Sequence, residues 1–157
     1  MKSTKENLLI VSKSYQALLQ KRAKQVNLTV AEWQLLRLIV EGYNTQQLLA
    51  ENTNLDVSTL SRQLSRLDAK RLIKKEVIRT EEKIRSRPAS SYSLNEAGQA
   101  SLDKMNQKFE ELNQQIFEHW TDEEDNLLKI LLNRLATRLQ QINQLGIFKI
   151  YLILDSK

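Results

Sequence analysis

Apolar residues recur at every third or fourth position along most of the chain, a spacing that places them on one face of an α-helix. Thr29 with Glu32, and Thr121 with Glu124, form capping boxes that mark two helix starts, because each pair satisfies free backbone N–H groups reciprocally. Six helices are predicted from these signals, over residues of about 6–25, 29–41, 46–51, 57–70, 95–119 and 121–146.

The period of the pattern changes to two after the fourth predicted helix. Lys75–Arg79 and Ser91–Leu94 have the composition of strands, and the polar segment Thr80–Ser90 joins them as a hairpin. The second, third and fourth predicted helices, followed by this hairpin, have the order of a winged helix-turn-helix. We therefore predict a mostly α fold with a small β-hairpin wing, in which residues 28–94 form the winged helix-turn-helix core.

The helices at the two ends of the chain carry more apolar surface than one small lobe can bury. Some of it belongs to the chain's own core, and a symmetric partner is the simplest cover for the rest. Residues 1–27 and 95–157 are therefore predicted to be N- and C-terminal dimerisation helices, with Gly146 ending or kinking the last one and no conformation assigned to the apolar tail Ile147–Leu154. The apolar stripes are Leu8, Val11, Tyr15 and Leu18; Leu102, Met105, Phe109, Leu112 and Ile116; and Leu128, Leu131, Leu135, Leu139 and Ile142.

Composition narrows the range of chemistry. The 157 residues include no cysteine and one histidine, His119, which excludes disulfides, thiolate catalysis and cysteine-based zinc sites. No nucleophile–base pair is visible, so we predict no catalytic residues, no metal site and no cofactor. The longest apolar run, Ile147–Leu154, is shorter than the roughly 20 residues of a membrane span. With an N-terminus too polar for a signal peptide, this predicts a cytoplasmic protein.

Positive charge is concentrated in one stretch of the sequence. The net charge is +5, and residues 56–90 hold ten Lys and Arg against five Asp and Glu, whereas the rest of the chain holds fourteen of each sign. A basic patch on an otherwise neutral protein indicates a polyanionic partner. A solvated charged face is the alternative.

The fourth predicted helix is polar opposite its apolar stripe of Leu60, Leu64 and Leu67. In a helix-turn-helix the second helix enters the major groove of DNA, and side chains at its N-terminal end meet base edges. Short hydroxyls allow close approach, and an arginine can reach a guanine or a phosphate. An ordinary amphipathic surface helix is the alternative. The candidate DNA-binding residues here are Ser58, Thr59, Ser61, Arg62, Ser65 and Arg66.

The hairpin tip supplies a second set of candidates, Lys83, Arg85 and Arg87. An arginine on such a tip can enter the minor groove, where the narrow width concentrates negative potential. Glu81 or Glu82 would orient that arginine through a charged hydrogen bond. A solvated loop is the alternative, but sequence order and charge location agree in favouring contact with DNA.

Four segments together resemble the MarR family of bacterial transcriptional regulators. Leu28–Leu36 is similar to the opening of that family's second helix, and Leu49–Glu51 to its short third helix. Leu55–Leu67 resembles its recognition helix, and Leu94–Gly98 the junction that follows its wing. The resemblance extends in order and spacing over about residues 8–142.

The sequence departs from the family pattern at three places. Arg71 stands where the family usually has a glycine, so the turn into the wing must form without one. The tip has Arg85-Ser86-Arg87-Pro88 where the family commonly has Asp-Arg-Arg, so either arginine is a candidate for the minor groove. Asn95 replaces a threonine, which conserves the ability to cap a helix.

The resemblance implies a homodimer on a pseudo-palindromic operator, and a small anionic or aromatic effector bound near Tyr15, Trp33 and Arg37. Burial of Trp33 in the core is the alternative for that residue. The predicted function is a sequence-specific double-stranded DNA-binding regulator, a ligand-responsive repressor. A winged helix that docks protein or RNA without specific DNA binding is the alternative.

Overall fold

The computed structural model describes residues 1–78 and 89–155, with the backbone alone for residues 89 and 145–155. The predicted order of three helices, a recognition helix, a hairpin and two long helices is confirmed within these ranges. The elements are α1 (Thr4–Gln25), α2 (Val30–Val40), α3 (Gln46–Thr53), α4 (Val57–Ala69), β1 (Ile73–Ile78), β2 (Ala89–Leu94), α5 (Glu96–Ile116) and α6 (Asp122–Asp155).

Helix starts coincide with side chains that accept hydrogen bonds from free backbone N–H groups. Thr29 Oγ1 accepts from the Glu32 N–H at 3.0 Å, and Glu32 Oε1 accepts from the Thr29 N–H at 2.8 Å. Thr121 and Glu124 form the same reciprocal pair, so both predicted capping boxes are confirmed. A third box, between Ser3 and Glu6, starts α1 two residues before the predicted position.

Three helix ends share one backbone motif, with a residue of positive φ just after the cap: Asn27 (57°), Gly42 (108°) and Arg71 (57°). After α4, the Arg71 N–H donates to the Asp68 carbonyl at 2.9 Å and the Leu72 N–H to the Leu67 carbonyl at 3.1 Å. This pair of bonds defines a Schellman motif, whose left-handed position favours glycine or asparagine. The turn into the wing is therefore made by an arginine in the left-handed region.

The chain divides into two compact units, Met1–Leu112 and Asn113–Lys157. The core of the first unit contains the predicted stripe of α4 and most of the apolar seam of α5. Four of the five seam residues pack in or against this core and Ile116 is exposed, so these four belong to the apolar surface that the chain's own core buries. The core also includes Leu19 and Ala23 of α1, so it extends beyond residues 28–94 on both sides.

The hairpin is antiparallel, and its register pairs Ile73 with Leu94 and Ile78 with Ala89. Both strands therefore begin two residues before their predicted starts. The segment before α3 joins this sheet, since the Tyr92 N–H donates to the Asn44 carbonyl at 2.7 Å and Thr45 forms an isolated bridge with Ser91. Backbone hydrogen bonds thus hold the start of α3 against the base of the wing.

The second unit consists of the end of α5 and the long helix α6. Helix α6 continues through Gly146 to Asp155, so of the two predicted alternatives, an end or a kink at Gly146, the end is wrong. One glycine in a helix interior costs only about 1 kcal/mol relative to alanine, which is too little by itself to end a helix. Phe117 and Trp120 pack edge to face with centroids 5.1 Å apart.

None of the described helices has the length and hydropathy that a membrane span requires.

Candidate nucleic-acid interface

Helix α4 is capped at its N-terminus by Asp56. The Oδ1 atom of Asp56 accepts from the Thr59 N–H at 2.6 Å and from the Ser58 hydroxyl at 2.9 Å. The hydrogen bonds from Thr59 have the largest effect on the pKa of this carboxyl and hold it below its ordinary value of 3.8. The hydrogen bond from Ser58 and the charge of Arg62 lower the pKa further. The Ser58 hydroxyl proton is therefore committed to a carboxylate of its own chain.

An ion pair fixes the other end of the helix. Lys70, the C-cap of α4, donates from Nζ to Glu32 Oε1 at 2.8 Å and to the Asn27 carbonyl at 2.9 Å. Glu32 is 1% exposed and also belongs to the capping box of α2. The sequence indicates the cap but not the ion pair, because Lys70 lies 38 residues away. One carboxylate thus joins the start of α2 to the end of α4.

The six candidate residues of α4 differ in accessibility. Ser58, Arg62, Ser65 and Arg66 are exposed, whereas Thr59 and Ser61 are half-buried. The Ser61 hydroxyl accepts from Gln46 Nε2 at 2.6 Å, which ties α4 to the first residue of α3. Four candidates therefore form an open face of hydroxyl and guanidinium groups, opposite the buried leucines.

The described part of the wing adds one cationic side chain, that of Lys75, beside α4. Lys74 and Lys75 of β1 are exposed, and Lys75 borders a small cavity of about 160 Å³ that Ser61, Ser65 and Tyr92 also line. The predicted tip residues Lys83, Arg85 and Arg87 lie outside the described residues, as do Glu81 and Glu82. Their contact with DNA stays a prediction.

Two further residues at this surface were not among the candidates from the sequence. Val57, the first residue of α4, is 68% exposed, and Gln46 holds Ser61 in place. The position of Val57 at the start of a capped helix is a signal that the sequence contains. The contact of Gln46 with a side chain 15 residues away has no such signal.

The three proposed effector residues have different surroundings in the structure. Trp33 is 2% exposed, donates from Nε1 to Asn106 Oδ1 at 2.9 Å and packs on Phe109, so it is a core residue, as the alternative held. Arg37 lies over the Trp33 ring with its Cζ 5.1 Å from the centroid, and Tyr15 packs against the core. A cavity of about 400 Å³ between α2, α3 and α4 includes Arg37 but neither Tyr15 nor Trp33.

Metal-binding clusters are absent from the part of the chain that the structure describes, where no three His, Asp or Glu side chains converge. His119 is exposed, and its nearest acid is Glu118, with Nε2 and Oε2 4.0 Å apart.

By sequence, neither a family model nor a curated protein matches the chain. By structure, it is similar to MarR from E. coli in its apo form, at 20% identity and a TM-score of 0.67, covering 86% of this chain and 98% of that one. A MarR variant complexed with operator DNA matches at 20% identity and a TM-score of 0.69, covering 83% and 91%. The MepR–DNA complex from S. aureus matches at 18% identity and a TM-score of 0.71, covering 87% and 96%. The chain therefore has the winged helix-turn-helix fold of MarR and MepR, over nearly the whole length of those proteins.

Proposed function

We propose that the chain is a sequence-specific transcriptional regulator of the MarR family that binds double-stranded DNA. The observation that carries this proposal is the exposed face of α4, where Arg62, Ser65 and Arg66 project from the second helix of a helix-turn-helix. In that motif this helix enters the major groove. Two proteins of the same fold, a MarR variant and MepR, have been solved with DNA. From this role we infer that the protein is located in the cytoplasm.

Exposed apolar surface supports a homodimer. On α1, Leu9 is 74% and Val11 61% exposed, and on α6, Leu127 is 58% and Ile130 56% exposed. Apolar surface on this scale, on two long helices, is characteristic of an interface. A symmetric dimer would place two copies of α4 about 34–36 Å apart, one turn of DNA, so the operator would be a pseudo-palindrome.

Regulation by a small effector is part of the proposal, with repression as the direction. Arg37 borders the 400 Å³ cavity between α2 and the helix-turn-helix, and its guanidinium would be a partner for an anionic or aromatic molecule. An occupant there would contact both α2 and α4, and so bias the position of the recognition helix.

The test begins with selection of binding sites from a random pool of duplexes, followed by fluorescence anisotropy on the selected operator and on a scrambled duplex. We expect tight, salt-dependent binding to the operator and binding at least about 10³-fold weaker to the scrambled duplex. Arg62→Ala should lose about 1–3 kcal/mol and relax specificity at one base pair, and Arg66→Ala should weaken both duplexes alike. Lys104→Ala, an exposed change on α5, is the matched control.

Equal affinity for the selected and scrambled duplexes would contradict the proposal. Binding of RNA or of a protein partner, with no affinity for duplex DNA at low salt, would establish the alternative of a winged-helix docking module.

A further inference from the structure

Val57 is an apolar residue in an exposed position that folding does not account for. It is the first residue of α4, its side chain is 68% exposed, and it does not belong to the buried core. Packing in the core therefore does not require a valine here.

The neighbouring side chains are engaged within the chain. Ser58 donates its hydroxyl proton to Asp56, and Ser61 is bound to Gln46. Val57 and Ser61 are four residues apart, so they are adjacent on one side of the helix. Val57 is thus the exposed large apolar residue in the first turn of α4.

In the major groove the 5-methyl group of thymine is the apolar feature among the base edges, and apolar side chains recognise it by contact. The N-terminal residues of a recognition helix are the ones that meet base edges. We propose that Val57 reads a thymine in each half-site of the operator through this methyl group. The inference rests on the proposed function and names a determinant of its sequence specificity.

Deoxyuridine substitution tests the contact directly, because it removes the thymine methyl and leaves every hydrogen-bonding group in place. Each thymine of the selected operator is replaced in turn, in both half-sites together, and the Kd is measured for the wild type and for Val57→Ala. At one thymine position the wild type should lose about fourfold in affinity per half-site. This is the effect of losing the burial of one methyl-sized group, because deoxyuridine lacks the methyl that Val57 would contact. The Val57→Ala variant should show a clearly smaller loss at that position, because alanine keeps one methyl-sized group where valine presents three apolar carbons.

The matched control is Val40→Ala, the same substitution at a 54% exposed position at the end of α2, which should keep the wild-type response to deoxyuridine. Val57→Ala is expected to fold, since Val57 is no part of the buried core, and circular dichroism checks this. If the operator is bound specifically but Val57→Ala responds to every deoxyuridine as the wild type does, the inference is overturned and the proposed function stands. If the wild type selects no sequence at all, the proposed function fails instead.

Discussion

Replacing Arg71 by glycine should stabilise the protein. Arg71 is exposed and has φ of 57°, in the left-handed region. That conformation costs a residue with a Cβ about 1–2 kcal/mol. Glycine removes this cost but adds about 0.5–1 kcal/mol of backbone entropy to be lost on folding. The net gain is about 0.5–1 kcal/mol, which for a chain of this size raises Tm by about 1–4 °C.

The Arg71→Ala variant separates backbone strain from loss of the guanidinium, because alanine keeps the Cβ and removes the charge. It should leave the free energy of unfolding nearly unchanged, whereas Arg71→Asn should fall between alanine and glycine, since asparagine tolerates the left-handed region. Urea denaturation at two protein concentrations measures all three against the wild type and reveals any change in dimer stability. A glycine variant no more stable than the alanine variant would refute the reasoning, because both would then act through the side chain alone.

Three further predictions concern the ends of α4 and its neighbours. Because the pKa of Asp56 is lowered in the folded chain, its ionised form stabilises the fold above its unfolded pKa, and this stability is lost as the pH falls through the folded value. Asp56→Asn caps α4 without titrating, so its Tm should fall less steeply than that of the wild type below about pH 4. Lys70→Met should lower the free energy of unfolding by about 2 kcal/mol, less than for a fully buried pair because Lys70 is 28% exposed. Adding Glu32→Gln to this variant should recover part of the loss, because it removes the charge left unpaired. Urea denaturation of the single and double variants measures both effects, and an unchanged single variant would contradict them. Gly98→Ala should lose about 2–3 kcal/mol in thermal unfolding, because its Cβ would overlap the backbone of the turn before β1, whereas Gln99→Ala, at an exposed position, should change little.

Local signals account for most of the fold that was predicted. Capping boxes are complete within four residues, so Thr29 and Thr121 identify the starts of α2 and α6 without knowledge of the tertiary structure. The leucines of α4 repeat at helical spacing, and all three are buried. Gly42 marks a helix end by residue type. These features depend on neighbours in the sequence, which is why the sequence alone was enough.

Features that depend on distant partners were not predictable in this way. Arg71 adopts the same left-handed position as Gly42, but its residue type does not indicate it, and the surrounding hydrogen bonds and the burial of Leu72 impose it. The apolar seam of α5 has the same spacing whether it faces a partner or the chain's own core. Packing against Trp33 decided for the core, since Phe109 contacts that ring.

The hydroxyl groups of α4 illustrate how structure restricts a role that composition leaves open. A serine hydroxyl has one proton to donate and two lone pairs to accept with, so the sequence permits Ser58 to recognise either kind of base group. A carboxylate only accepts, and the 2.9 Å bond to Asp56 therefore takes the proton of Ser58. Within the proposed function, Ser58 would face DNA as an acceptor, which suits the amino group of adenine or cytosine and not the acceptors of guanine. The cap that starts the recognition helix thereby also limits which bases its first turn is able to read.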